Sequence, residues 1–249
     1  MARSIETQVD LDLIEKLLAA YGLGGGEVGQ QMRAQARAAT QPGWWHQRYR
    51  SVMSRDYQDW IALESAASLI HLWHPTLVPD LLQTPEYAAA VHRAQHPRAA
   101  PKERELAVEL IGERQRRAED RQVRVWTVLS ATALHTAIGA PATMRAQHQR
   151  LVEVLESHPR HTVQILPLTA GWHPLTCAPP ICLLRLDDEE IDDHVLIDTL
   201  EGTTTTDDPT RVARWRQRLD AVAASAPLGH PLPPPPTRTP TPSERSTDE

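Results

Sequence analysis

The residues able to do chemistry fall into a few local patterns. Glu64 lies four residues after Trp60 and three before Ala67, on or beside an apolar stripe of Tyr57, Trp60, Ile61, Ala67, Ile70 and Trp73. His71 is four residues beyond Ala67, near the same stripe. Residues three and four apart share one face of a helix, so this spacing sets a carboxylate and an imidazole in apolar surroundings. Such a pair can move protons or grip a ligand; a structural ion pair, or a cap on the nearby connector, is the competing role. Gln83, Arg114, Gln115 and Gln147 are polar residues in apolar or regular surroundings. They suit a pocket that binds a carboxylate or an amide, and equally the hydrogen bonding of loop backbone. Trp172-His173 sits in a Gly-containing loop between predicted strands, near Cys177. Ligand contacts often occur in such loops, and a Cys–His pair is a nucleophile–base combination.

No metal is expected. The twelve histidines include His71/His74, His92/His96 and His158/His161 as close pairs. None belongs to an HExxH pattern or to a zinc-finger set of Cys and His. No cofactor is expected either, because Gly24-Gly25-Gly26 is not followed by the Lys-Ser/Thr of a phosphate-binding loop. Cys177 and Cys182 have no further Cys partner and read as small thiols in a reduced setting. Arg114, Arg116, Arg117, Arg121 and Arg124, interrupted by Glu119 and Asp120, form either a solvated helix face or a docking surface for an acidic partner. Asp187 to Asp193 reads as a solvated acidic turn.

These residues need elements to hold them. Val9, Leu11, Leu13, Ile14, Leu17 and Leu18 mark one helix face, stopped at Tyr21-Gly22 by a glycine in the left-handed cap. Residues 27–40 read as a weaker helix, broken by Gln41-Pro42-Gly43. The stripe over 54–73 predicts the best helix of the chain, ended by His74-Pro75. A connector from Val78 to Thr84 leads to a helix N-capped by Thr84 with Pro85 at its first position. A charged helix spans about 102–121. Strands follow at Val123–Val128, Thr162–Pro167, Pro180–Leu186 and His194–Thr199, with helices at Ala131–Ile138 and Pro141–Ser157. Asp208-Pro209 opens a last helix to about Ala224. Helices first, then a small mixed sheet with helices against it, is an α+β chain. From Pro227 the composition is Pro-, Thr- and Ser-rich, which supports no core and reads as a disordered tail.

The order of several blocks resembles one family. These are Trp44-Trp45; Tyr57; Leu63-Glu64 with Ala67; Val78-Pro79-Asp80-Leu81-Leu82-Gln83-Thr84 with Tyr87-Ala88; Arg114-Gln115; Val128-Leu129; Ala133-Leu134; Ile138-Gly139; Met144-Arg145-Ala146-Gln147; Val163 to Pro167; His173-Pro174; and Val195 to Thr199. Together they resemble the C-terminal domain of WhiJ-like, antitoxin-like helix-turn-helix regulators of actinobacteria, over roughly residues 4–224. The resemblance implies an N-terminal DNA-binding domain of the xenobiotic-response-element type, a C-terminal domain without a settled activity, and a small acidic partner protein. It also marks departures: Pro79-Asp80 where Pro-Gly is usual, Ala131 where an acidic residue is usual, Leu196 near an expected Tyr, Asp198 where a Glu is usual, and Ile181 near an expected Phe. Asp198 thereby joins the ligand-binding candidates, and an altered ligand is implied. Ser4-Ile5-Glu6-Thr7 resembles the residues just after a recognition helix.

The expected organisation is a truncated helix-turn-helix remnant over 1–43, an α+β sensor or effector domain over 44–226, and the tail over 227–249. Direct DNA reading is not expected unless the true start lies upstream of Met1. Base readout needs a helix in the major groove, and residues 9–40 hold only Lys16, Arg33 and Arg37 as basic side chains. The net charge of −6 argues against a chain-wide nucleic-acid surface. The chain holds 7 Trp and no Phe, so Trp carries the aromatic volume of core or pocket. No apolar run is long enough to span a membrane and no signal peptide is visible, so a cytoplasmic setting is expected. Two readings of function remain open. One is a regulator-derived binding module for a small molecule or a small acidic partner, acting in transcriptional regulation without a complete DNA-reading domain of its own and dimerising through the apolar face of 9–18. Its site would draw on Trp60, Glu64, Gln83, Arg114, Gln115, Gln147, His173 and Asp198. The other is a regulator domain recruited as a cofactor-free isomerase, lyase or cyclase, with Glu64 and His71 as acid and base.

Overall fold

The computed structural model describes residues 11–26, 28–30, 32–33, 43–186, 192–199 and 202–227. Most of the helix expected over 27–40, most of the acidic turn expected over 187–193 and the Pro-rich tail beyond 227 lie outside the described residues. The chain divides into two compact units, Met1–Arg50 and Ser51–Glu249.

In the first unit, helix α1 spans Leu11–Ala20. It ends as its sequence requires: Gly22 takes φ +70°, and Leu23 N–H reaches back to the carbonyl of Leu18 at 2.8 Å. Arg33 pairs with Glu15 at 2.8 Å and also donates to the carbonyl of Gly24 at 2.9 Å, which closes the glycine turn. Helix α2 is one turn, His46–Tyr49, beside an edge-to-face contact of Trp44 and Trp45 with centroids 5.6 Å apart.

The second unit is α+β. Helix α3 (Arg55–Ala66) is N-capped by Ser54, whose hydroxyl accepts from Tyr57 N–H. Strand β1 (Ala67–His74) follows directly. The helix expected to run through residue 73 therefore stops at Ala66. The run Leu69-Ile70-His71-Leu72-Trp73 fits a strand covered on both faces as well as it fits a helix stripe, and pairing with neighbours on both edges decides in favour of the strand. After the connector come helix α4 (Pro85–Gln95) and helix α5 (Pro101–Asp120), then strand β2 (Arg124–Ser130), helices α6 (Ala131–His135) and α7 (Pro141–Ser157), and strand β3 (His161–Leu166). Strands β4 (Ile181–Leu186), β5 (His194–Thr199) and β6 (Gly202–Thr206) complete the sheet, and helix α8 (Pro209–Ser225) closes the unit. Strand β6, with the sequence Gly-Thr-Thr-Thr-Thr, carries no apolar alternation and was not expected from sequence.

The sheet has six strands in the order β3-β2-β1-β4-β5-β6. Strands β1, β2 and β3 are parallel, with Ile70 opposite Val125 and Thr127 opposite Val163. The rest is antiparallel, with Leu72 opposite Cys182 and Cys182 opposite Leu196. Parallel neighbours need long crossovers, and α4–α5 and α6–α7 supply them.

Alternation along the strands sorts side chains between two faces. One face carries Ile70, Leu72, Leu129, Val163, Ile165, Leu184 and Leu196, packed with Tyr87 and Val91 of α4, Leu151 and Val154 of α7, and Trp60 and Leu63 of α3. The other carries Trp73, Val128, Leu166, Leu183 and Val195 beneath Val212, Leu219 and Val222 of α8.

Leu219 is fully buried, and its truncation to Ala should cost about 2–5 kcal/mol, the usual range for an emptied core leucine. Urea denaturation measures this. A loss below about 1 kcal/mol would mean that α8 is not a necessary cover for that face.

Candidate functional site

Over the α3–α7 face lies a cavity of about 410 Å³, within the range of small-molecule pockets. Its walls come from α3 (Tyr57, Trp60), β1 (Leu72, His74), the connector (Leu77 to Leu81, and Gln83), α4 (Val91, His92), α5 (Ala107, Leu110, Ile111, Arg114) and the β5–β6 hairpin (Asp198, Gly202, Thr203).

Arg114 organises one wall. It is 4% exposed and sits on the inner face of α5. Its Nε and Nη2 donate to the two carboxylate oxygens of Glu64 at 2.8 and 2.7 Å. Its Nη1 donates to Asp80 Oδ2 at 2.6 Å and to the Tyr57 hydroxyl at 2.7 Å. The Tyr57 and Trp60 rings lie 5.6 and 6.0 Å from the guanidinium carbon, close enough for cation–π attraction. Burial works against the charge on Arg114, but Glu64, Tyr57 and Asp80 outweigh it and hold the group firmly protonated. Burial likewise pushes the Tyr57 hydroxyl well above its ordinary range, with Arg114 opposing and Asp80 and Glu64 reinforcing the shift.

The glutamines brace the connector. Gln115 Nε2 donates to the carbonyls of Asp80 and Gln83 at 2.7 and 2.9 Å. Gln147 donates to the Leu82 carbonyl at 2.8 Å and accepts from Thr84 N–H at 2.8 Å. Gln83 Nε2 donates to the Val78 carbonyl at 2.7 Å. A buried irregular segment must find partners for its backbone groups, and these side chains supply them. Three residues that line the cavity each carry a buried polar atom without a protein partner, Gln83 Oε1, Trp60 Nε1 and His92 Nδ1, and each of these atoms is turned away from solvent. The orientation of the Gln83 amide follows from the Val78 carbonyl, which only the NH₂ end can satisfy.

Histidine and carboxyl groups complete the wall. Desolvation lowers the pKa of His74 to about 4, with Asp80 pulling the other way. His92 is also lowered, by desolvation first and then by His96. Desolvation raises the pKa of Asp198, and the Asp80 carboxylate adds to the rise.

Of the residues expected from sequence, Trp60, Gln83, Arg114 and Asp198 meet at the cavity. Glu64 stands behind it, committed to Arg114. Gln115 and Gln147 serve the connector. Glu64 and His71 are not brought together, because the helix that would have aligned them ends at Ala66. His71 lies on the opposite face, stacked on Trp126 at 4.3 Å with ring planes 5° apart. His173 is on that face too, edge-on to Trp73 at 5.2 Å, with Nδ1 accepting from Leu175 N–H. Two of the departure positions, Ala131 and Leu196, are buried in the core and do not line the cavity. Nor is the arginine run a free basic face: Arg114 is buried, while Arg116 and Arg117 pair with Glu113. Cys182 is buried, and desolvation pushes its thiol pKa up. Among the described residues, no group of three or more His, Cys, Asp or Glu is placed to hold a metal ion.

Tyr57, His74 and Asp80 were not recognised as site residues from sequence. Tyr57 looked like core and His74 like a helix stop. The clue for His74 was its two-residue spacing from Leu72, which becomes informative once β1 is a strand.

Residues 57–228 match the family described as domain of unknown function (DUF5753), and the chain belongs to that family. It matches none of the curated proteins and none of the solved structures. No helix among the described residues is long and apolar enough to cross a membrane.

Two outcomes follow. Arg114→Met leaves Glu64 buried and uncompensated and should cost about 3–5 kcal/mol in denaturation; replacing Glu64 with Leu in the same chain should recover much of that loss. An Arg114→Met protein as stable as the parent would show that the pair is not a structural tether. The second outcome concerns pH. Desolvation holds His71 at about pKa 4 in the folded chain, against about 6.5 when unfolded. As pH falls, the unfolded chain takes up the proton first. This contribution to stability is therefore complete above about pH 6.5 and is lost between there and about pH 4. His71→Phe, which keeps a ring on Trp126, should show a smaller drop in melting temperature between pH 7.5 and 5. An unchanged drop would remove His71 as a source of acid sensitivity.

Proposed function

We propose that this DUF5753 chain is a ligand-binding module that takes an amphipathic small molecule into the cavity between α3, α4, α5 and β1, and that it serves in transcriptional regulation. The observation carrying the binding reading is a cavity of small-molecule size, about 410 Å³, whose apolar lining is joined by a few polar groups. Leu72, Val78, Leu81, Val91, Leu110 and Ile111 favour a hydrophobic body. The carboxyl groups of Asp80 and Asp198 and the rings of His74 and His92 offer polar contacts to one end of it.

The regulatory setting rests on the resemblance to WhiJ-like regulators. In such a setting, occupancy biases pairing with a second copy or with a small acidic partner protein. Helix α1 is suited to pairing with a second copy, since Leu13 and Leu17 stand 53% and 44% exposed. An acid–base enzyme built on Glu64 and His71 finds no support in the arrangement, because Glu64 is held by Arg114 and His71 is on the far face of the sheet.

A fragment library screened by ligand-observed NMR tests the binding reading. Hits should be displaced by Ala107→Trp, which fills the cavity from α5, with an affinity loss of about tenfold or more. They should survive Leu219→Ala, which alters only the opposite face. Hits insensitive to Ala107→Trp, or a screen with no hits, would overturn it.

A further inference from the structure

Given the binding reading above, the charges on the cavity wall select the sign of the ligand's charge. From sequence, Arg114 invites an anion. In the structure its Nε, Nη1 and Nη2 all have acceptors, and those acceptors include two carboxylates, Glu64 and Asp80. One guanidinium against two carboxylates leaves an excess negative charge. Asp198 adds a further carboxyl at the rim, and no Lys and no Arg besides Arg114 lines the cavity among the described residues. His74 and His92 do not supply a positive charge near neutrality, because burial holds both below their ordinary range.

A carboxylate ligand would bring more acceptors to a wall already rich in them, and would meet Asp80 and Asp198 as like charges. An ammonium brings donors and a positive charge. Removing an ammonium from water is costly unless carboxylates and acceptors replace its hydration, and the Asp198 and Asp80 carboxyl groups line the cavity. The remaining lining, from Leu72 and Val91 to Leu110 and Ile111, is apolar.

We propose that the cavity recognises an amphipathic primary or secondary amine, with its ammonium toward Asp198 and Asp80 and its apolar body against β1, α4 and α5. Asp198, at the departure position where the resembled regulators carry Glu, sets this preference from the β5–β6 hairpin.

Matched eight-carbon probes provide the test: octylamine, 1-octanol and octanoate, each titrated below its micellar range into the full chain by ligand-observed NMR and calorimetry. Octylamine should bind at least about tenfold tighter than either other probe. Asp198→Asn, an exposed change at the end of a hairpin strand, should reduce that preference about tenfold while leaving octanol affinity within about twofold. Ala107→Trp should weaken all the probes that bind. Equal or tighter binding of octanoate overturns the amine assignment, as does a preference unchanged in Asp198→Asn; in both cases the cavity remains a ligand site. If none of the three binds at millimolar concentration, the binding reading falls together with the assignment. If octanol binds but octylamine does not, only the charge argument falls.

Discussion

Arg114 carries a positive charge into a place where water cannot solvate it, and the surrounding structure is arranged around that fact. A buried guanidinium is tolerable only with its N–H groups bonded and its charge compensated. Glu64 reaches it from α3 and Asp80 from the connector, and the Tyr57 hydroxyl accepts from Arg114 and donates to Asp80. The same contacts fix α3 and the connector against α5. Because the connector is irregular, its backbone groups also need partners, and Gln83, Gln115 and Gln147 provide them. The connector also packs apolar side chains into the core, Leu81 beside Ile70 and Leu72 of β1 and Val78 and Leu82 beside Tyr87.

The sheet divides the work. One face is sealed by α8 with an apolar cluster from Trp73 to Leu219, with His71, Trp126 and Gln164 forming a polar seam beside it. Trp126 Nε1 donates to Gln164 Oε1 at 2.6 Å, and Gln164 Nε2 donates to the carbonyl of Ala223 near the end of α8 at 2.9 Å. That face is closed. The other receives α3, α4, α5 and the connector and keeps a recess among them. A molecule held there touches four separate elements at once, so its binding energy is also added cohesion among them. For the ligand proposed above, this is the physical route by which occupancy would be read elsewhere.

Local signals were legible. Thr84-Pro85 and Asp208-Pro209 start helices because a side-chain oxygen caps a free N–H and proline needs none; Pro141–Ser157 and His194–Thr199 run as their periodicity predicts. The failures are equally physical. Residues 67–73 have apolar side chains at both helical and strand spacings, and only the neighbours β2 and β4 decide between them. Strand β6 has no apolar face to announce it, and it exists because β5 offers an edge to pair with. Asp80 and Tyr57 looked like a loop residue and a core residue, since nothing local reports that an arginine thirty or more positions away will bond to both.

The α+β class, the main helices and their caps, and the inventory of polar groups set among apolar ones were determined by the chain on its own, because propensity, capping and alternation act over a few residues. Which polar groups meet was decided by the tertiary structure. It sent Glu64 to Arg114 instead of His71, put His71 and His173 on the closed face, and brought Trp60, Gln83 and Asp198 to one cavity. Those outcomes depend on strand pairing and on the demand that every buried charge find its counter-charge, and both join residues that no local pattern connects.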